Sequence, residues 1–177
     1  MISGRPRYAR INKLVNELLA GVSRAPVQVE QIAKNLGASI FYRDFDENVS
    51  GLLIRQGNSA VIGVAKQQSK ERQRFTIAHE LGHLSLHEAE EIHIDKQFRV
   101  HFRSKMSSTA ADVREIEANA FAANLLMPKD FLARDVAKIE MDFEDPENIQ
   151  MLSDKYGVSS QAMTFRLMNL FGSHGPE

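Results

Sequence analysis

Hydrophobic residues near the start of the chain recur every three to four positions, the spacing that places them on one face of a helix. This pattern predicts an amphipathic helix over residues 8–22 and a shorter helix from Pro26 to Gly37, a glycine suited to end it. Each helix would bury one apolar face. We therefore expect residues 1–37 to form a helical cap without chemistry of its own.

The pattern changes to short β-rich runs in the next part of the chain. Residues 40–42, 51–54 and 60–64 are such runs, and turn-forming residues separate them. They predict three strands of an antiparallel meander, packed against the helix that follows. That helix covers residues 73–86, with Ser69 as a suitable N-cap, and it is apolar on most of its circumference. We expect it to be buried.

A further extended segment is predicted over residues 92–103, where apolar and polar residues alternate. Its polar face carries His93 and His101. Two interpretations remain open. The histidines either belong to a solvated face, or the strand borders a cleft in which a peptide can pair with it as another strand.

The last forty residues predict two helices. Asp145-Pro146 is typical of a helix start, and a glycine-containing turn leads to a second helix over residues 161–171. This order is similar to a helix-turn-helix DNA reader. Arg166 is the only cation of the second helix, however, whereas a DNA reader contacts several phosphates. We expect residues 136–177 to pack on the core or to dock a partner, and not to bind DNA directly.

Together these elements predict an α+β fold that is mainly helical, with a small antiparallel sheet packed on the central helix. The 177 residues, 43% of them hydrophobic, suit one domain over residues 1–177, in which residues 38–135 hold the sheet and the central helices. The 22 basic and 23 acidic residues nearly cancel, so there is no general attraction to nucleic acid or membranes. No apolar stretch is long enough to span a bilayer or to act as a signal peptide, so we expect a cytoplasmic protein.

Candidate chemistry lies in the central helix, which contains an H-E-x-x-H sequence at residues 79–83. His79 and His83 are four residues apart and share a helix face, so they can bind one metal ion together. Glu80 lies at the edge of that face, where it can accept a proton from a water activated by the metal. Burying these three groups without a metal would be costly. The chain has no cysteine, so the ligands must be histidine and carboxylate.

The remaining ligand is expected from the helix predicted over residues 112–128, because a catalytic zinc needs at least one more. Glu115 and Asn119 share a face of this helix. A carboxylate there can bind the metal, while an amide holds the other nitrogen of a histidine. Glu117 points roughly 160° away. It is the weaker candidate, and a solvated charge is the simpler interpretation.

His87 continues the four-residue spacing of the histidines. It stands about 12 Å from His79 along an unbroken helix, too far to share an ion. We expect it in the cleft wall or behind the ligands. The group that stabilises the oxyanion of a reaction remains open among four residues, which are His87, His93, His101 and Arg99.

The two blocks at residues 73–83 and 115–128 resemble the ImmA/IrrE family of zinc-dependent metallopeptidases. The resemblance implies a gluzincin-like core, with the histidines on one helix and the glutamate on the next. It also implies one Zn²⁺ per chain, although another divalent ion would suit the same donors. The implied ligands are His79, His83 and Glu115, and Glu80 is the implied catalytic base.

The resemblance extends to function. Similar members commonly sit beside a helix-turn-helix repressor and inactivate it by cleavage. A narrow-specificity endopeptidase is therefore expected, acting on a repressor or antitoxin-like protein encoded nearby in mobile-element or stress-response regulation. A different class stays open, a regulatory or toxin-like binding module whose metal site is structural or rarely active. A structural site would be closed by protein ligands, whereas a catalytic site keeps a position for water.

Overall fold

The computed structural model describes residues 5–57, 59–87, 92–96, 110–138 and 145–172. These residues form a mainly helical α+β fold, as the sequence predicts. In chain order the elements are α1 (Tyr8–Leu18), α2 (Val29–Asn35), β1 (Ala38–Arg43), β2 (Val49–Gln56), β3 (Ser59–Ala65), α3 (Lys70–Leu86), β4 (Ile92–Lys96), α4 (Ala110–Leu126), α5 (Lys129–Lys138), α6 (Pro146–Tyr156) and α7 (Ser160–Phe171).

The four strands form one mixed sheet in the order β1-β3-β2-β4. β2 pairs antiparallel with both β3 and β4, whereas β1 pairs parallel with β3 from Ala38↔Ala60 onwards. The predicted antiparallel meander is therefore wrong for β1. After β1 the chain crosses the end of β3, and Phe45 in this crossing lies over Gly63, where an added Cβ would be 2.9 Å from Phe45 Cζ. Alternation along one strand does not encode such a non-local pairing.

Helix α3 occupies the centre of the molecule, between α4 on one side and β2 and β3 on the other. Ile77, Ala78 and Leu81 are buried in the core, which confirms the prediction of a buried helix. Its start is capped as predicted, because Ser69 Oγ accepts a hydrogen bond from the backbone N–H of Arg72.

The C-terminal end of α3 is held by a residue of the sheet. The guanidinium of Arg55 on β2 donates to the carbonyls of His83 (2.7 Å), Leu84 (3.1 Å) and His87. The last carbonyls of a helix lack the full set of backbone partners, and a cation is favourable at this end of the helix dipole. The last turn of α3 is thus fixed relative to β2.

Helix α1 packs on α4, and an ion pair between a half-exposed arginine and a buried glutamate precedes α1. Glu117 accepts hydrogen bonds from the backbone N–H (2.7 Å), Nε (3.0 Å) and Nη2 (2.8 Å) of Arg7. Its side chain is only 1% exposed, so the interpretation of Glu117 as a solvated charge is wrong. The hydrogen bonds from Arg7 hold the pKa of Glu117 below its ordinary value. The partner lies 110 residues away, out of reach of local pattern analysis.

Helices α6 and α7 pack on the core through buried side chains, among them Leu152, Tyr156 and Met163. The turn between them uses Gly157 in the left-handed region, at φ 63°, as the helix end requires. Arg166 on α7 donates its Nε–H to the carbonyl of Met127 (3.1 Å), and burial lowers its pKa to about 10. In the described part of the chain, no helix combines the length and apolar character needed to cross a bilayer.

Candidate metal centre

The H-E-x-x-H turn of α3 places its three polar side chains in the interior. His79, Glu80 and His83 are all buried. The Nε2 atoms of His79 and His83 lie 3.0 Å apart, because residues four apart on a helix stand one above the other. One turn of one helix therefore supplies a pair of imidazole nitrogens that point to the same place.

Helix α4 approaches this turn closely because Gly82 has no side chain. A Cβ at Gly82 would lie 3.0 Å from the Cα of Ala118 and 3.1 Å from its carbonyl oxygen. Such contacts are too short to be accommodated without displacing the backbone of α4. Small residues on both helices thus allow α4 to carry Glu115 up to the histidines.

Glu115 meets both histidines with its two carboxylate oxygens. Oε2 lies 3.4 Å from His79 Nε2, and Oε1 lies 3.2 Å from His83 Nε2. One turn further along α4, Asn119 Oδ1 accepts a hydrogen bond from His79 Nδ1–H at 3.1 Å. This bond selects the tautomer of His79 that presents a lone pair at Nε2. The structure thus brings together His79, His83, Glu115 and Asn119 in the arrangement expected from the sequence.

These atoms fit a cation. The lone pair of His79 Nε2 faces Glu115 Oε2 at 3.4 Å, and two acceptors at that distance repel each other unless positive charge lies between them. For ligand bonds near 2.1 Å, neighbouring ligand atoms on a tetrahedral ion stand about 3.4 Å apart. The measured separations of 3.0, 3.2 and 3.4 Å are close to this value. The group can therefore hold a metal ion.

The protonation states also suit a metal ligand set. Burial lowers the pKa of His83 to about 4, so its imidazole is neutral near pH 7. Burial opposes ionisation of Glu115, but the neighbouring imidazoles of His79 and His83 outweigh it and hold the pKa of Glu115 below its ordinary value. Neutral imidazoles and an ionised carboxylate are the forms that bind metal ions.

His93 on β4 lies beside the other candidate donors. The sequence alone left open whether His93 is a solvated residue or borders a cleft. Its Nε2 lies 3.6 Å from Glu115 Oε1, and its ring stacks on that of His83 with centroids 3.8 Å apart. The candidate ligand atoms of His79, His83, His93 and Glu115 all lie within 4.8 Å of one another. The solvated-face interpretation is wrong for His93, whose side chain is 14% exposed.

The faces of β4 are reversed from the usual pattern. Ile92 and Ile94 are 60% and 51% exposed, while His93 between them points to the buried histidines. Alternation in the sequence correctly separates the two faces of the strand, but hydrophobicity indicates the wrong one as buried. Because β4 passes beside the candidate metal centre, its polar residue His93 faces inward.

Glu80 lies on the side of α3 that faces the sheet. An added Cβ at Gly51 of β2 would lie 3.0 Å from Glu80 Oε1 and would collide with Cγ2 of Thr76. The missing side chain at Gly51 therefore provides the room for the Glu80 carboxylate. No motif marks Gly51 or Arg55 in the sequence, since their importance depends on which strand passes α3.

His87 lies outside the group of four. It follows α3 directly, it is buried, and its Nε2–H donates to the carbonyl of Arg114 at 3.3 Å, with Glu117 Oε2 3.7 Å away. Burial lowers the pKa of His87 despite the Glu117 carboxylate. His101 and Arg99, and the predicted strand beyond Lys96, lie outside the described residues.

The chain matches a known protein family over most of its length. Residues 33–168 match the family model Peptidase_M78, described as the IrrE N-terminal-like domain. The chain belongs to the Peptidase_M78 family. This agrees with the ImmA/IrrE resemblance of the two sequence blocks, and both helices of the candidate metal centre lie inside the matched region. No curated protein matches the sequence significantly.

A similar fold occurs in a solved structure described as a Mycobacterium tuberculosis transcriptional regulator. The TM-score is 0.63 at 14% sequence identity, which shows similarity of the fold alone. The match covers 96% of this chain and 49% of the regulator, so the chain spans about half the length of that structure.

Proposed function

We propose that this member of the Peptidase_M78 family is a zinc-dependent endopeptidase of narrow specificity. The observation that carries the proposal is the buried Glu80 carboxylate on the same helical turn as His79 and His83, with Glu115 completing the ligand set. Two imidazoles and one carboxylate are the protein ligands of many catalytic zinc sites. Zn²⁺ is the ion we propose, one per chain.

The roles of the residues follow from their positions. A bound divalent ion supplies Lewis acidity, which activates a water and polarises a peptide carbonyl. Glu80 accepts the proton of the attacking water and then donates it to the amine of the leaving peptide. Asn119 keeps His79 in the tautomer that binds metal, and Arg55 fixes the end of α3 next to His83.

For the substrate, we propose a helix-turn-helix transcriptional repressor or antitoxin-like protein encoded nearby. The support is the family resemblance of the two sequence blocks. We propose no direct DNA binding through α7, because Arg166 is the only cation in the sequence of this helix and its Nε–H donates to the carbonyl of Met127.

The test is incubation of purified protein with the product of the neighbouring gene, with cleavage measured by intact mass. We expect Glu80→Gln to slow cleavage by about 10²- to 10⁴-fold while one zinc ion per chain is retained, because the general base is lost and the ligands are not. Glu71→Gln is the matched control, an exposed glutamate of the same helix. Equal cleavage by wild type and Glu80→Gln would contradict the proposal.

A second candidate function is a regulatory or toxin-like binding module whose metal is structural. It is favoured by His93, which adds a fourth protein donor to a site that needs only three for catalysis. Such a module would bind its partner equally well as wild type and as Glu80→Gln and would cleave it in neither form. Measuring partner binding beside cleavage separates the two functions.

A further inference from the structure

Four candidate protein donors lie within 4.8 Å of one another, although a catalytic zinc uses three and keeps one position for water or substrate. His93 Nε2 lies 3.6 Å from Glu115 Oε1, slightly farther than the 3.0–3.4 Å that separate the other three ligand atoms. It is thus nearly as close to Glu115 as neighbouring ligands of one tetrahedral ion, for which about 3.4 Å is expected.

His93 is held differently from the other three donors. His79 and His83 lie on a buried helix that is packed on both sides, and Glu115 lies on the helix next to it. His93 lies on β4, a five-residue strand at the edge of the sheet that pairs with β2 alone among the described strands.

Little apolar burial holds β4 in place. Ile92 and Ile94, the neighbours of His93, are both more than half exposed. The pairing of β2 with β4 is also interrupted by a register shift between Val49 and Gly51. Segments with few buried apolar contacts open at low free-energy cost. β4 can therefore move while α3 and α4 keep the other three ligands in position.

We propose that His93 is an exchangeable fourth ligand that closes the metal centre in the resting protein. In that state the metal has four protein ligands and no position for water. Displacement of His93 with β4 is the step that opens a position for water or substrate. The proposal rests on the proposed peptidase function and adds its regulation.

The experiment uses the full chain loaded with Co²⁺, whose visible spectrum reports the identity and number of ligands. Azide is added as a small probe ligand. We expect the spectrum of the wild type to be unchanged by azide, because no position is open. For His93→Ala we expect a different spectrum that shifts on addition of azide and returns towards that of the wild type when imidazole is added instead.

Zinc affinity provides a second measurement. We expect His93→Ala to bind Zn²⁺ about 100-fold or more weakly than the wild type, since loss of an outer-shell partner alone costs about 10- to 100-fold. His93→Gln, which keeps much of the side-chain volume, should behave similarly and guards against misfolding of the alanine variant. Ile92→Ala, the exposed neighbour on the same strand, is the control and should keep the spectrum and affinity of the wild type.

The proposal is overturned if azide shifts the wild-type spectrum, or if His93→Ala keeps the wild-type spectrum and affinity. These readouts need no substrate, so they are independent of the peptidase function. At saturating Zn²⁺ the proposal also expects His93→Ala to cleave the repressor faster than the wild type. If the spectra show the closed site and neither form cleaves, the ligand assignment stands and the peptidase function fails.

Discussion

At the scale of single residues, the side chains around the metal centre differ in what they do to a metal. His83 and Glu115 offer donor atoms, whereas Asn119 acts through His79 by accepting the hydrogen bond from its Nδ1–H. Such outer partners fix the orientation and the tautomer of a ligand before any metal arrives. Residues that do not touch the ion are therefore also expected to influence the affinity for metal.

Asn119→Ala tests this effect. Without the acceptor, His79 can rotate and change tautomer, so we expect Zn²⁺ affinity to fall by about 10- to 100-fold with little change in the fold. The measurement is competition with a chelator of known affinity. Asn124→Ala is the matched control, because Asn124 lies on the same helix and only binds the exposed Asn12. Equal losses in both variants would show that the helix, and not the hydrogen bond, is responsible.

Sequence analysis succeeded where residues interact within one helix and failed where a partner comes from elsewhere. The positions of His79, His83 and Glu80 follow from the period of the helix, and Glu115 and Asn119 follow from theirs. Glu117 is the contrary case. Its environment is set by Arg7, and no property of the sequence around Glu117 indicates that contact.

At the scale of elements, α3 and α4 approach each other closely in the centre, where Gly82 meets the backbone of Ala118. The same contact positions Glu115 for the histidines. The positions of the candidate ligand atoms therefore depend on how closely the two helices pack. Gly82 offers no donor atom, but we therefore expect it to influence the affinity of the site for metal.

Gly82→Ala makes the link measurable. Helix propensity alone would stabilise the protein by about 1 kcal/mol, whereas the collision with Ala118 is expected to cost about 1–3 kcal/mol. We expect a net loss in urea unfolding, together with weaker metal binding, because α4 must move away. Ser85→Ala on the same helix controls for a gain in helix propensity without added volume. If Gly82→Ala were more stable than the wild type and bound metal equally well, the predicted link between helix packing and metal affinity would be wrong.

The elements themselves were predicted to different degrees. Long amphipathic helices such as α1 and α7 follow from their spacing, and β2 and β3 follow from two β-rich runs joined by a tight turn. The parallel pairing of β1 with β3 was missed, since it depends on where the chain crosses and not on the residues of β1.

At the scale of the whole molecule, the C-terminal helices are joined to the rest by a polar contact at Asp135. This side chain of α5 binds Lys155 Nζ at 2.7 Å and accepts the hydroxyl hydrogen of Tyr156 at 2.8 Å. Burial opposes its ionisation, but Lys155 and Tyr156 outweigh burial and hold the pKa of Asp135 below its ordinary value.

The lowered pKa of Asp135 determines how the stability of the folded protein depends on pH. A carboxylate whose pKa is lower in the folded protein stabilises it above the pKa of the unfolded chain, and this contribution is lost as pH falls through the folded value. We expect Asp135→Asn to cost about 1–3 kcal/mol in urea unfolding at pH 7. The difference from the wild type should shrink below about pH 4, where the unfolded aspartate becomes protonated.

Asp44→Asn is the matched control, because Asp44 binds Lys66 at 2.6 Å with both side chains exposed. Such surface pairs contribute about 0–1 kcal/mol. If both variants lose the same stability at pH 7, or if the loss for Asp135→Asn does not diminish in acid, Asp135 does not anchor the C-terminal helices.

The Arg7–Glu117 contact also changes how the start of α1 behaves. Helix ends usually fray, because their first turn can open without exposing anything costly. Here the backbone N–H and the guanidinium of Arg7 both bind a carboxylate that is almost fully buried. Opening the entry to α1 would leave that carboxylate without its partner. The start of α1 is thereby held on α4, and we expect slower hydrogen exchange at the Ile11 amide, which bonds to the carbonyl of Arg7 at 3.1 Å, than at the amides of the first turn, which have no partner inside the helix.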